Sequence, residues 1–290
     1  MTYKSSFQDR AGQAAEAKKK AAEKEEVRVS MSEPDARIMK TAEKTFVPAY
    51  NAQLTTAADH GIIIQAEVTQ QGSDYQQLIP ALEQVKSTFG KIADQTVVDG
   101  GYMSRENIVA LDGRTDLIGP FDTEKKNAKE RLRRNGIAEQ FGSQAFVFDR
   151  ATNTLECPQG CTLKVIGQKV GIGKTEHYYQ AQARDCGGCA HKSQCCPKTK
   201  ARRVTRIEEA AEVQRLRRKM ESESVKAIYK TRARVAEFPN CWIKEKFRLR
   251  RFHVRGLEKV RMELKWHVIA YNLQQWMRLV WRPAMIARAA

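Results

Sequence analysis

The 290-residue sequence predicts an α/β protein. Three observations carry that reading. Over residues 45–120, apolar runs and helical periodicities follow the order strand, strand, helix, strand, helix, strand, which suits a mixed sheet with helices layered on it. Between residues 146 and 200, short apolar runs surround a Gly171-Ile172-Gly173 turn and six of the seven cysteines. From residue 205 onward the apolar spacing is that of long helices. A hydrophobic fraction of 41% is enough for a core.

Each element has its own signal. Residues 5–28 are rich in Ala, Lys and Glu and read as an exposed helix or a disordered tail. Thr45–Thr56 and Ile62–Val68 read as strands, with Asp59-His60-Gly61 as the turn between them. The Ile62-Ile63-Ile64 run suggests burial on both faces. Ser73 and Gln76 form a capping-box pattern. The helix after it places Leu78, Ile79, Leu82, Val85 and Phe89 on one face. A short strand then ends at Asp99, Ser104 caps a helix with Ile108 and Leu111 inward, and Asp116–Pro120 is a further strand. Residues 123–142 read as helix plus loop. Phe146–Phe148 starts a small β unit whose hairpin runs Thr162–Val170 and His177–Ala183. Residues 205–237 read as one long helix, ending or kinking before Pro239. After Gly256, Leu257, Val260, Leu264, Val268, Tyr271 and Trp276 follow helical spacing.

Net charge is +17 and the isoelectric point about 9.6, which points to a polyanionic partner. Residues 201–261 hold 19 Lys/Arg against 8 Glu, so the excess is concentrated there. No run of 18 apolar residues and no apolar signal region occur, so no membrane span is expected and a cytoplasmic location is. Cysteines in a reducing compartment are metal ligands or free thiols before they are disulfides.

Two carboxylates stand out, 138 residues apart. Asp99 follows the apolar Val97-Val98 and precedes Gly100-Gly101, which let the chain turn and another group approach. The plainer alternative is a turn aspartate capping local amides. Glu237 lies inside a field of Lys and Arg. Two distant acids with cations around one suggest a metal site that handles phosphodiesters. Trp242, Phe247 and Phe252 interleave with Lys244, Lys246, Arg248, Arg250 and Arg251, a pattern that pins apolar residues on the core and offers charge outward. Such cations, with Arg255, suit phosphate contact more than base reading.

These strings resemble a known family. Asp99-Gly100-Gly101-Tyr102, Ser104-Arg105-Glu106-Asn107, then Tyr229, Arg232, Glu237, Ile243-Lys244, Arg251-Phe252 and Arg255-Gly256 resemble the motifs of the DDE transposases of bacterial insertion sequences, in the branch with a cysteine-bearing insertion. Departures are Gly100 for Ala, Ala236 for Val, and Asn240-Cys241 where Phe-Gly is usual. The resemblance spans roughly residues 31–280. It implies an RNase H-like mixed sheet, interrupted by a small cysteine-rich β insertion and followed by long helices. It implies Asp99 and Glu237 as two of three catalytic acids holding Mg²⁺ or Mn²⁺, with Tyr229, Arg232 and Lys244 on phosphates. The first acid of the family, on an upstream strand in an Asp-Gly-Thr-like string, has no counterpart. The first match is Asp35-Ala36-Arg37-Ile38-Met39, so the expectation is a transposase lacking its N-terminal part and inactive alone.

The organisation expected on this basis is a charged N-terminal segment (1–30), a first catalytic part (31–150), a zinc-ribbon-like insertion (151–200) and a helical, basic second part (201–290). Cys186-Gly187-Gly188-Cys189 has zinc-knuckle spacing, and a hairpin between two cysteine pairs is a zinc-ribbon layout. The expected structural Zn²⁺ ligands are Cys157, Cys186, Cys189 and Cys195. Cys161, Cys196 and, more weakly, His191 are alternates, and Cys241 is expected as a buried thiol. The expected partner is DNA at transposon ends, in a bacterial, nucleoid-associated setting, with a homodimer as one arrangement. Two other readings stand beside it: an active nuclease or transposase that recruits Asp35 or Asp9, and a non-enzymatic, zinc-stabilised basic DNA-binding adaptor.

Overall fold

The computed structural model describes residues 30–41, 44–121 and 123–289. The N-terminal helix or tail and Asp9 lie outside them. The chain divides into two units. One comprises the described residues up to Asp74 together with those from Ala233 onward, and the other Tyr75–Arg232. The protein is a mixed α/β structure, and its described strands form one five-stranded and three two-stranded sheets.

The first unit opens with two antiparallel pairs: β1 (Arg37–Lys40) on β2 (Phe46–Ala49), and β3 (Asn51–Thr56) on β4 (Ile63–Thr69). The single strand expected over 45–56 breaks at Tyr50. That ring stands edge-on to Phe252 at 6.2 Å, and its hydroxyl donates to Glu33 at 2.7 Å. The turn before β4 is the expected one, with Gly61 at φ +65°. A register shift near Ile64 changes the phase of β4. Ile63, Ala66 and Val68 therefore all reach one core, while buried Gln65 accepts a hydrogen bond from Thr55.

In the second unit, α1 (Leu78–Phe89) buries Leu78, Leu82 and Val85 and ends at left-handed Gly90. It starts behind a 3-10 turn (Asp74–Gln76) instead of at the Ser73 pattern, and Phe89 is exposed. β5 (Gln95–Val97) and β6 (Asp116–Ile118) pair in parallel, the crossover being α2 (Arg105–Leu111). Ser104 caps α2 as expected, its Oγ accepting from the Asn107 amide at 3.1 Å. Ile108 and Leu111 join Leu78, Leu82, Val98 and Leu117 in one core. α3 spans Thr123–Arg134.

The small β unit is a five-stranded antiparallel sheet in sequential order: β7 (Val147–Asp149), β8 (Thr154–Glu156), β9 (Thr162–Gly171), β10 (Lys174–Gln180) and β11 (Arg203–Glu209). Phe146, Leu155, Leu163, Tyr179 and Val204 form its core. Gly173 (φ +71°) turns the hairpin where a Cβ would stand 2.9 Å from Arg105 Cβ. Only glycine fits both that backbone angle and that approach. Two short helices, α4 (Ala183–Gly187) and α5 (Lys192–Cys195), fill the long connection from β10 to β11.

Strand β11 corrects the long helix expected over 205–237. Val204, Thr205 and Ile207 are β-branched, and β10 offers an open ladder from Lys174 to Gln180. Helix begins only with α6 (Ala211–Glu221), which buries Val213 and Leu216, and breaks at extended Ser222 before α7 (Glu223–Arg232). A π-helical turn (Ala233–Glu237) then leads into α8 (Phe238–Glu245). Pro239 does not end the helix, because it falls in the first turn of α8, where its missing N–H costs nothing. The long α9 (Leu257–Trp276), a second π turn (Met277–Trp281) and α10 (Arg282–Ala289) complete the first unit. Val260, Leu264, Val268 and Tyr271 of α9 face its core as expected, whereas Trp276 is exposed.

Candidate nucleic-acid and metal site

Asp99 sits two residues beyond β5, because the Val98 amide still pairs with the Ile118 carbonyl before the chain turns. Its carboxylate caps the 3-10 turn Gly100–Tyr102 by accepting from the Gly100 amide, so the capping alternative holds for one oxygen. The other oxygen lies 3.9 Å from Arg232 Nη1, across 133 residues of sequence. Arg232 in turn stands over the Tyr229 ring at 5.6 Å. Asp99, Arg232 and Tyr229 thus form one group within the second unit. The Asp99 side chain is 60% exposed and the Arg232 side chain 19%, so the anion is open to solvent while the cation is held.

Glu237 closes the π turn at the start of the first unit's C-terminal part, next to β3. Its five-residue turn widens the helix where the side chain leaves it. Asp99 and Glu237 therefore belong to different units. Among the described residues no three Cys, His, Asp or Glu side chains are gathered tightly enough to hold an ion.

The basic stretch beyond Glu237 alternates as expected. Ile243 and Leu249 are buried, and Trp242, Phe247 and Phe252 pack on the same core. Lys244, Lys246, Arg248, Arg250, Arg251 and Arg255 are all exposed. Lys246 lies 5.9 Å over the Trp242 ring, and Arg250 donates to Glu245 at 2.5 Å. Arg248 adopts φ +58°, a left-handed step that turns the chain out of α8. Cys241, expected as a buried thiol, is exposed, because Trp242 and Ile243 take the inward positions of that turn.

Cys157, Cys161, Cys186, Cys189, Cys195, Cys196 and His191 line one cavity of about 40 Å³. Amides of Gln159 and Cys161 donate to Cys157 Sγ at 3.4 and 3.3 Å, and the Arg202 amide donates to Cys186 Sγ at 3.4 Å. Burial pushes the Cys161 thiol up, and a hydrogen bond with Cys157 adds to this. Burial and Cys186 do the same to Cys196. Cys195 is pushed up to about 11, chiefly by burial, against the pull of Arg202. The alternates Cys161 and Cys196 thus lie among the same thiols as Cys157, Cys186 and Cys195. Soft thiols on one enclosed wall have the donor chemistry of a zinc site, although their present spacing does not gather them.

Sequence reasoning missed Glu33 and Glu209, and it weighed Asp35 as a catalytic acid without seeing its structural role. Asp35 Oδ2 accepts from the Leu257 amide at 3.0 Å and Glu33 from the Gly256 amide at 2.9 Å, so both cap the N-terminus of α9. Their distance of more than 220 residues from that helix left no local signal. Glu209 accepts from Arg105 and Arg217 and joins the end of β11 to α2 and α6.

The family model described as transposase DDE domain matches residues 156–277, which include the thiols, Tyr229, Arg232, Glu237 and the basic stretch. Neither the curated proteins nor the solved structures gave a match.

Proposed function

Because residues 156–277 match the family model described as transposase DDE domain, we propose that this protein binds DNA through the phosphate backbone and contributes Asp99 and Glu237 to divalent-metal phosphodiester chemistry at transposon ends. The observation that carries the reading is the row of exposed cations from Lys244 to Arg255, seated on buried aromatic and aliphatic residues inside the matched segment. The apolar residues fix the backbone, so the cations between them are presented on one stretch of chain. Arg232, already stacked on Tyr229, is placed to hold a phosphate beside Asp99.

Carboxylate oxygens are fitting donors for Mg²⁺ or Mn²⁺, and such an ion, when bound, supplies Lewis-acid activation of the phosphodiester. Asp99 and Glu237 each offer such oxygens within their own unit. The 290 residues contain no Asp-Gly-Thr-like string, and Asp35 is engaged in capping α9. The proposal therefore includes no strand cleavage by Asp99 and Glu237 alone. The test is a Mn²⁺ cleavage assay on transposon-end DNA, beside a binding titration. Cleavage abolished by Asp99→Ala would overturn the inactive reading, and the absence of DNA binding at low salt would overturn the function itself.

Zinc in the cysteine pocket belongs to the same reading, as a structural ion outside the reaction. Its expected ligands are Cys157, Cys186, Cys189 and Cys195. Cys161 and Cys196 line the same cavity as Cys189 and Cys195 and stand as alternates to them. Metal analysis of Cys157→Ser, Cys189→Ser and Cys196→Ser separates the sets. Zinc kept only in the Cys196 variant supports Cys157, Cys186, Cys189 and Cys195, zinc kept only in the Cys189 variant moves the site to the alternates, and zinc absent from the parent protein ends the reading.

A further inference from the structure

Helix α9 is apolar on two faces. One face lies on its own core through Val260, Leu264, Val268 and Tyr271. The other carries Met262, Trp266, Ile269, Leu273, Trp276 and, in the π turn, Val280. All six are exposed, Trp266 at 64%. Their spacing is 4, 3, 4, 3, 4, the 3.5-residue period of a coiled-coil seam. Between Trp266 and Met277 there is no Asp, Glu, Lys or Arg, in a chain where 29% of residues are charged.

We infer that this face is the contact between two copies of the chain, paired antiparallel along α9. The seam reads alike in both directions. About a two-fold axis level with Tyr271, Met262 meets Val280, Trp266 meets Trp276 and Ile269 meets Leu273. Each pair matches in chemistry and the spacing is palindromic. Self-complementarity of this kind is what an isologous two-fold contact requires. The middle of the seam, from Trp266 to Met277, offers nothing to specify a charged partner, the nearest charges being Lys265 and Arg278 at its flanks, and a second copy supplies the matching apolar stripe. With Leu279, Trp281 and Met285 exposed beside it, the stripe offers roughly 800 Å² per copy, taking large side chains at about 150–250 Å² each and half exposed, which is the size of a standard stable interface. A depression walled by Val254, Met262 and Trp266 lies at one end of the seam, where the antiparallel arrangement brings the partner's Trp276 and Val280.

The inference does not depend on DNA binding, and its test is run without DNA. Sedimentation velocity of the nuclease-treated chain in about 0.5 M salt, where phosphate contacts are weak, is expected to give twice the 33.0 kDa monomer mass. An Ile269→Glu, Leu273→Glu variant is expected to sediment as monomer, its dissociation constant raised at least a hundredfold, with unchanged far-UV circular dichroism. Mixed Ile269→Cys and Leu273→Cys chains are expected to cross-link to each other more than either does to itself. A wild-type monomer at tens of micromolar, a dimer that survives both glutamates, or cross-linking that favours like pairs would each overturn the inference. So would a monomer that binds anionic lipid vesicles through this stripe.

Discussion

Replacing Glu209 by Ala should destabilise the second unit by about 2–3 kcal/mol. Its carboxylate accepts from Arg105 at 3.2 Å and from Arg217 at 2.8 and 2.9 Å. The two guanidinium carbons stand 5.1 and 4.9 Å from the centre of the Phe121 ring. Without the carboxylate, two cations share one aromatic surface. Removing one partner of a buried ion pair costs roughly 3–5 kcal/mol. Arg217 is 31% exposed and recovers part of this from water, hence the lower figure. In a unit of about 160 residues, each kcal/mol moves the midpoint by about 2–4 °C, so a shift of roughly 5–10 °C is expected. Burial raises the Glu209 carboxyl, but its bonds to Arg217 and Arg105 pull it further down, below its usual 4.5. A lowered carboxyl contributes stability that is present above its unfolded value and lost as pH falls through its folded value. The gap between wild type and Glu209→Gln should therefore close below pH 4.5. Thermal melts followed by circular dichroism at pH 7 and pH 3 measure both. An unchanged midpoint at pH 7, or a gap as large at pH 3, would refute the reasoning.

Three further outcomes are expected. Combined Lys244→Ala and Arg251→Ala changes should lower the slope of log K against log salt by about 1.8, since each lost phosphate contact removes about 0.9. Fluorescence anisotropy across a salt series reads this directly, and an unchanged slope would place the DNA surface elsewhere. Asp35→Ala should cost about 1 kcal/mol as a lost helix cap, measured by urea unfolding, while leaving any divalent-metal affinity untouched. Leu163→Ala, at a fully buried position of the five-stranded sheet, should cost about 2–5 kcal/mol and lower the midpoint of the second unit.

Local patterns in the sequence translated well into local structure. The Ser104 cap, the Gly171–Gly173 hairpin and the inward face of α9 each rest on signals within a few residues. The alternation of cations with Trp242, Phe247 and Phe252 was legible for the same reason. Where partners lie far apart, the sequence was silent. Residues 205–209 are polar enough to pass for a helix start, and only the open edge of β10 decides that they form a strand. At the candidate site, the pairing of Asp99 with Arg232 depends on where α7 passes the end of β5, which no spacing records. The thiols illustrate both cases. Spacing located the pocket, but the neighbours within it follow from how the turn at Cys157 and the connection through Cys186 fold back.

The caps on α9 bear on how the chain folds. Glu33 and Asp35 close on amides more than 220 residues later, so the first unit has very long contact order and cannot finish until nearly the whole chain exists. At about 5–20 residues per second of synthesis, its two N-terminal hairpins wait on the order of ten to forty seconds for their helix. The intervening unit has all its residues in one stretch and can fold during that interval. Pulse-labelled nascent chains should accordingly gain protease resistance first over Tyr75–Arg232, with the residues before it the last to be protected.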